Sequence, residues 1–232
     1  AEPVACIWAI GQTGFSQEGF DAVKAQLLDR DPQIRLHTAV AVTKMELDDG
    51  IAELEQALRG PDEQLADVAL TGLQESGYCG VPLLVRLVAG DHPRQQQLRD
   101  VLSHVQTGLV AALGADDPQV RRRAARALGQ IGDAGARAPL LARLDDANNL
   151  VRFNAAAALA TMNDADGIGF LFDALQSDDA ILRANAVLFL TQVQRSSGAV
   201  ESRLREALRA ASPLARAGGA QVLGESGVAA AV

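Results

Sequence analysis

The sequence has little cysteine, lysine or aromatic content and no long apolar run, and each shortage excludes something. Only two cysteines, Cys6 and Cys79, occur in 232 residues. They lie far apart in the chain and give neither a disulfide framework nor a metal-ligand spacing, so both read as small buried apolar side chains. No stretch approaches the ~18 consecutive apolar residues that a membrane span needs. The start, Ala1-Glu2-Pro3-Val4, has no basic region ahead of an apolar stretch as a secretory signal would. The expectation is therefore a cytoplasmic protein that does not engage a membrane. Basic residues number 21 against 29 acidic ones, a net charge of −8, which opposes attraction to a phosphate backbone and makes nucleic acid an unexpected partner. Lysine is confined to Lys24 and Lys44. There is no Gly-rich phosphate loop, nucleophile elbow or Cys-His pairing, and Gly11-x-x-Gly14 reads as a helix stop. No catalytic, metal-ligating or cofactor-binding residue is predicted.

What the chain does have is a register that recurs. Its best copy runs from Asp116 to Asp133: an acidic turn, the pair Val120-Arg121, an Ala-rich helix and a glycine stop. The apolar-Arg pair returns as Ile34-Arg35, Leu98-Arg99, Val151-Arg152 and Leu182-Arg183, with Leu65-Ala66 and Ala215-Arg216 as degenerate copies. Arg121 to Arg152 and Arg152 to Arg183 are each 31 residues, and Arg183 to Arg216 is 33. Seven residues after every anchor but Arg99 comes an aliphatic (Val42, Leu73, Leu128, Leu159, Leu190, Leu223), followed in several copies by a glycine four residues later, as in Leu73 to Gly77 and Leu128 to Gly132. Each unit reads as two helices, the first short and amphipathic, as at Ile51 to Leu58 or Gly167 to Leu175. The second opens behind Asp31, Asp62, Asp117 or Asp179, where a carboxylate caps the helix and suits its positive end. Pro32 and Pro118 occupy early positions at which a missing N–H costs nothing. No run of alternating β-branched residues competes with this reading, and the fold class is all-α.

Two helices per ~31 residues, the turn Asp, the Val-Arg pair and the Leu-Gly-x-x-Gly ending resemble the HEAT repeat, in particular its short bacterial PBS-lyase HEAT-like variety. The resemblance is strongest over 109 to 193. It implies a right-handed α-solenoid of stacked helical hairpins, an armadillo-like α/α superhelix whose second helices line a concave face. Residues 1–232 then form one array of about seven units with incomplete repeats at both ends: residues 1 to 14 match only a second helix, and Gly227 to Val232 only the start of a first one. An excised segment or a covered terminus would account for those ends. One interval is short, since Arg99 to Arg121 is 22 residues. A tight junction at Gln106–Gly108 and a loop absent from the chain both explain it.

The resemblance also bears on the site. In HEAT-like units the recurring arginine bonds the turn carboxylate or carbonyls of its neighbour, which gives Arg35, Arg99, Arg121, Arg152, Arg183 and Arg216 a structural role as a ladder. The groove-facing positions of the second helices are the anchor plus one, two and five. There Arg122, Arg123 and Arg126 make one strongly basic unit inside an acidic protein, beside an apolar shelf of Phe153, Ala157 and Leu188 with Asn154 and Asn185 in register. Such a face suits an acidic or amphipathic segment of another protein. The expected function is a non-catalytic interaction scaffold without a cofactor, its oligomeric state open. The rival implied by the resemblance is a phycobilin lyase-like chaperone subunit handling a tetrapyrrole or phycobiliprotein, against which the 3% aromatic content weighs. Iron enzymes built from similar repeats use His-Glu pairs, and none of His37, His92 and His104 is followed by Glu.

Overall fold

The computed structural model describes residues 17–193, 198–210 and 212–225. The expectations placed on residues 1 to 14 and 227 to 232, and on Cys6, lie outside the described residues. Thirteen α-helices are described and no strand: α1 Gln17–Ala25, α2 Pro32–Lys44, α3 Ile51–Arg59, α4 Glu63–Glu75, α5 Val81–Ala89, α6 Gln95–Ala112, α7 Pro118–Ile131, α8 Arg137–Leu141, α9 Asn149–Thr161, α10 Ala165–Ala174, α11 Ala180–Val193, α12 Gly198–Ala207 and α13 Pro213–Glu225. Two compact units divide between Leu109 and Val110. Each is a stack of helical hairpins of the α-solenoid type.

The tight junction expected at Gln106–Gly108 is not formed. Gln95–Ala112 is one uninterrupted helix that runs straight through Gln106–Gly108. The physical reason is local: nothing in Gln95 to Ala112 forbids helix except Gly108, whose surroundings are open, and a single interior glycine costs only about 1 kcal/mol.

The starts of the second helices follow from their caps. Asp31 accepts from the backbone N–H of Gln33, Asp62 from those of Gln64 and Leu65, Asp117 from that of Gln119 and Asp179 from those of Ile181 and Leu182. In the 152 unit Asn148 does the same work for Leu150 and Val151. The two backbone N–H groups hold the Asp179 carboxyl below the usual carboxylate range. The helix ends are equally periodic. All four described residues with left-handed backbone, Glu46, Gly77, Gly132 and Asn163, stand four positions after the recurring aliphatic (Val42, Leu73, Leu128, Leu159). The conformation thus survives where glycine does not, with Asn tolerating it best among the substitutes.

Packing within the first unit brings α2 against α3 and α4 over a core that includes Leu36, Val42, Leu54, Leu58, Leu73 and Leu84. In the second unit the second helices α7, α9, α11 and α13 adjoin one another in that order. The core there is built on Ile168, Leu171, Leu175, Leu190, Leu204 and Val222. Close approach depends on small residues: a Cβ on Gly129 of α7 would stand 2.8 Å from both Cα and Cβ of Ala158 on α9, and Thr161 donates to the Gly129 carbonyl at 3.1 Å. The repeat period appears directly as side-chain pairing in the first unit, where Lys44–Glu75, Glu55–Arg86 and Glu63–Arg94 are ion pairs between residues 31 apart.

Candidate partner-binding face

The recurring arginines are placed by the turns they follow. Arg35 Nη1 donates to the carbonyls of Asp29 at 3.0 Å and Arg30 at 3.3 Å, and Arg121 Nη1 to those of Ala115 at 2.9 Å and Asp116 at 2.8 Å. Arg152 reaches the Asp146 carbonyl at 2.7 Å, Arg216 the Ala210 carbonyl at 2.8 Å, and Arg183 the Ser177 carbonyl. Every one of these carbonyls lies six residues before its arginine or next to one that does. The bond therefore closes the arginine's own inter-helix turn, where the resemblance implied a neighbour's turn. The neighbouring hairpin supplies carboxylates: Arg35 Nε donates to Glu53 at 2.9 Å, and Arg121 donates to Asp146.

Arg99 does not join this pattern. It is exposed on α6, and Arg94 makes the contacts instead. Arg94 Nη1 donates to the carbonyls of Leu58 and Gly60, the latter at 3.0 Å, while Nη2 meets Glu63 at 2.8 Å. Gly60 stands six residues before Ala66, the anchor that lacks an arginine. Arg94 thus replaces from the next hairpin the guanidinium that Ala66 cannot supply. The signal in the sequence was the coincidence of a missing anchor arginine with the longer turn Gly90-Asp91-His92-Pro93, which delivers a new arginine one period on.

That turn is held by a buried imidazole. His92 is 4% exposed, and its Nδ1 accepts from the backbone N–H of Arg94 at 3.1 Å. Nε2 therefore carries the proton of the neutral ring, and it has no partner among the described residues. Burial, followed by Arg59 and Arg94, pushes the imidazole below its usual 6.5, with Glu55 and Asp91 opposing. A histidine whose folded-state value is depressed contributes stability above 6.5 that fades as the pH falls through the lower folded-state value. On titration from pH 7.5 to 5.5 the first unit is expected to lose stability. His92→Asn keeps an acceptor for the Arg94 N–H and removes the titration, so denaturant melts of the variant should show a flatter pH slope. An unchanged slope would remove His92 from this role.

In the second unit an open cleft of about 420 Å³ is lined by Asp116, Arg121, Arg143, Asp145 and Asp146 among others. Its charges serve the fold. Arg121 forks onto Asp146 at 2.8 and 2.9 Å, and Arg143 donates to the Leu113 carbonyl at 3.2 Å. The Arg121 guanidinium holds the Asp146 carboxyl below its usual 3.8. Among the described residues no group of three His, Cys, Asp or Glu side chains is placed to hold a metal ion, and no helix is long and apolar enough to cross a membrane.

The outward face of the second helices is a different surface. On α7, Arg122 is half-buried while Arg123 and Arg126 are exposed. Neither Arg122 nor Arg126 meets an acidic side chain among the described residues, although the two stand one turn apart. On α9, Phe153 is half-buried and packs edge-on against Phe189 at 6.2 Å and 86°, Asn154 turns back to the Leu150 carbonyl, and Ala157 is buried. On α11, Asn185 is half-buried and Leu188 is 57% exposed. Arg123, Arg126 and Leu188 are thus exposed, whereas Ala157 on the same side of α9 is buried and the Asn154 amide is spent on its own helix.

Sequence reasoning missed the row one turn earlier on the same helices. At the anchor minus two stand Gln119, Leu150, Ile181 and Leu214, of which Ile181 is 70% and Leu214 41% exposed. The same helical arithmetic that picked the anchor plus one and plus five reaches this row, because positions three and seven apart share a face.

These helical hairpins coincide with a family match. Residues 107–191 match the family model for HEAT repeats. Over this stretch the chain is similar to HEAT repeats. No curated protein matches the sequence. Among solved structures, the chain is similar to a designed armadillo repeat protein at 16% identity, covering 88% of this chain and 98% of that one with a TM-score of 0.41. It is similar to the complex of CpcE and CpcF of phycocyanin lyase from Nostoc sp. PCC7120 at 16% identity, with coverage of 93% and 96% and a TM-score of 0.40. Human deoxyhypusine hydroxylase in complex with glycerol matches at 14% identity, with coverage of 95% and 88% and a TM-score of 0.38. Repeat arrays of this kind present extended surfaces built one hairpin at a time.

Proposed function

We propose that the protein is a non-catalytic scaffold that binds an acidic or amphipathic segment of another protein on the outward face of α7, α9 and α11. One observation carries the reading. Arg122 and Arg126 lie four residues apart on α7, and like charges at that spacing destabilise a helix by a few tenths of a kcal/mol. The anchor arginines of the second unit, Arg121, Arg152, Arg183 and Arg216, are satisfied by turn carbonyls, whereas these two meet no carboxylate of this chain among the described residues. A partner's carboxylates would relieve the repulsion and supply charge-assisted bonds. Stacked hairpins present their side chains on an open surface, which suits a surface role rather than an enclosed reaction site.

The test is affinity capture with the intact chain, comparing the parent with Arg122→Glu/Arg126→Glu and checking by circular dichroism that helicity is kept. One dominant protein is expected, captured about tenfold less well by the double variant, in line with loss of complementary charge. Equal capture by both proteins would rule out this face. Visible absorbance travelling with the parent through purification would favour the tetrapyrrole-handling rival instead.

A further inference from the structure

Exposed apolar side chains and the basic pair of the second unit fall on one grid. Its columns are the second helices α7, α9, α11 and α13, which adjoin in that order. Its rows are the anchor minus two, plus one and plus five. The columns read Gln119, Arg122, Arg126; then Leu150, Phe153, Ala157; then Ile181, Ala184, Leu188; then Leu214, Ala217, Gln221. Five large hydrophobics are exposed among the described residues, and three of them, Ile181, Leu188 and Leu214, stand on this grid. The first column is basic and the remaining three are apolar apart from Gln221.

We infer that the occupant of this face is an amphipathic helix of a partner protein, lying across the second helices with an acidic end over α7 and an apolar stripe over α9, α11 and α13. The inference rests on the scaffold reading above and adds the partner's conformation, polarity and contact residues. Three arguments support it. The exposed apolar surface extends along α11 from Ile181 to Leu188, seven residues or about 10 Å, which matches the width of a helix. An extended strand would follow one row and leave the other row wet. Packed helices stand about 8–10 Å apart, so four columns span about 27 Å, the length of a helix of about 18 residues. In such a helix side chains seven apart are about 10 Å apart, so one apolar position meets each successive column. Charge sets the direction, because Arg122 and Arg126 attract carboxylates at one end only. A net charge of −8 works against the competing occupant, an anionic membrane surface.

The probe is a labelled 20-residue helical peptide with leucine on one stripe and two glutamates in its first two turns, titrated against the whole chain by fluorescence anisotropy. A second peptide carries the glutamates at the opposite end, and a third is an extended, Gly- and Pro-spaced acidic sequence. Binding of an amphipathic helix is expected, with an affinity difference of at least about fivefold between its two polarities. Ile181→Asp and Leu214→Asp are each expected to weaken it about tenfold. Both residues are exposed, so these variants are expected to keep the parent's circular dichroism and melting temperature. Binding of the extended peptide alone, lost in Arg122→Glu/Arg126→Glu and untouched by Ile181→Asp, would overturn the helix and leave the scaffold reading standing. Absence of binding by any peptide, or indifference of the amphipathic peptides to all four substitutions, would overturn the helix as well. Cosedimentation with vesicles containing phosphatidylserine, abolished by Ile181→Asp, would overturn it in favour of a membrane.

Discussion

Arg94→Met is expected to destabilise the first unit by about 3 kcal/mol, seen as a lowered denaturant midpoint and faster hydrogen exchange in α3 and α4. The side chain of Arg94 is 9% exposed and the Glu63 carboxylate 72%, so the ion pair itself contributes little. The loss comes from the carbonyls of Leu58 and Gly60, which the guanidinium satisfies. A hydrogen bond to a charged group contributes about 1.5–3 kcal/mol, and a partner left without one adds its desolvation cost. Methionine keeps the apolar stem and removes only the donors. Because Arg94 stands in for the arginine missing at Ala66, a second change, Ala66→Arg in the Arg94→Met background, is expected to recover part of the loss. The buried position of Ala66 limits that recovery. A midpoint unchanged by Arg94→Met would show that water satisfies these carbonyls equally well.

Asp146→Ala is expected to lower the melting temperature of the second unit by roughly 8 °C, since removing one member of a buried ion pair strands the other. The side chain of Asp146 is 3% exposed and that of Arg121 14%. Asp146 also accepts from the backbone N–H of Asn148, so the same carboxylate orients the arginine and fixes the next turn. Its depressed folded-state value gives a pH signature. The stability it contributes is fully present above its usual 3.8 and is lost as the pH falls through the lower value it has in the fold. The parent is therefore expected to unfold in acid more steeply than Asp146→Ala. Thermal melts at pH 7 and between pH 4.5 and 2.5 check both statements, and parallel acid curves for the two proteins would contradict the second.

How far the sequence reached depended on how local each interaction is. The all-α architecture, the carboxylate caps at Asp31, Asp62, Asp117 and Asp179, and the left-handed stops at Gly77 and Gly132 depend on residues within one turn of each other, and their spacing displays them. Glu46 and Asn163 adopt the same stop without glycine, because the register of the stack imposes the backbone whatever the side chain. Arg94 left only an indirect signal, the missing arginine at Ala66 beside a longer turn, because its partners stand a full period away and no local pattern connects an arginine to a carbonyl in another hairpin. The fusion of two helices into Gln95–Ala112 was hidden for the opposite reason: the register demanded an interruption that no residue in the segment enforces. At the candidate face, helical geometry picked exposed positions on α7 and α11, among them Arg126 and Leu188. It stopped at the anchor plus one and so passed over Ile181 and Leu214.

The turn bonds also say something about how such a chain can grow. An arginine that satisfies carbonyls in its own turn travels with them, so a hairpin copied or deleted as a block carries a finished turn wherever it lands. The pair formed by Gly60 and Arg94 lacks this independence, because the donor sits in one hairpin and the acceptors in the one before. Those two hairpins can be inherited only together, and any rearrangement of the gene that separates them leaves one with open carbonyls and the other with an arginine that has lost its partners.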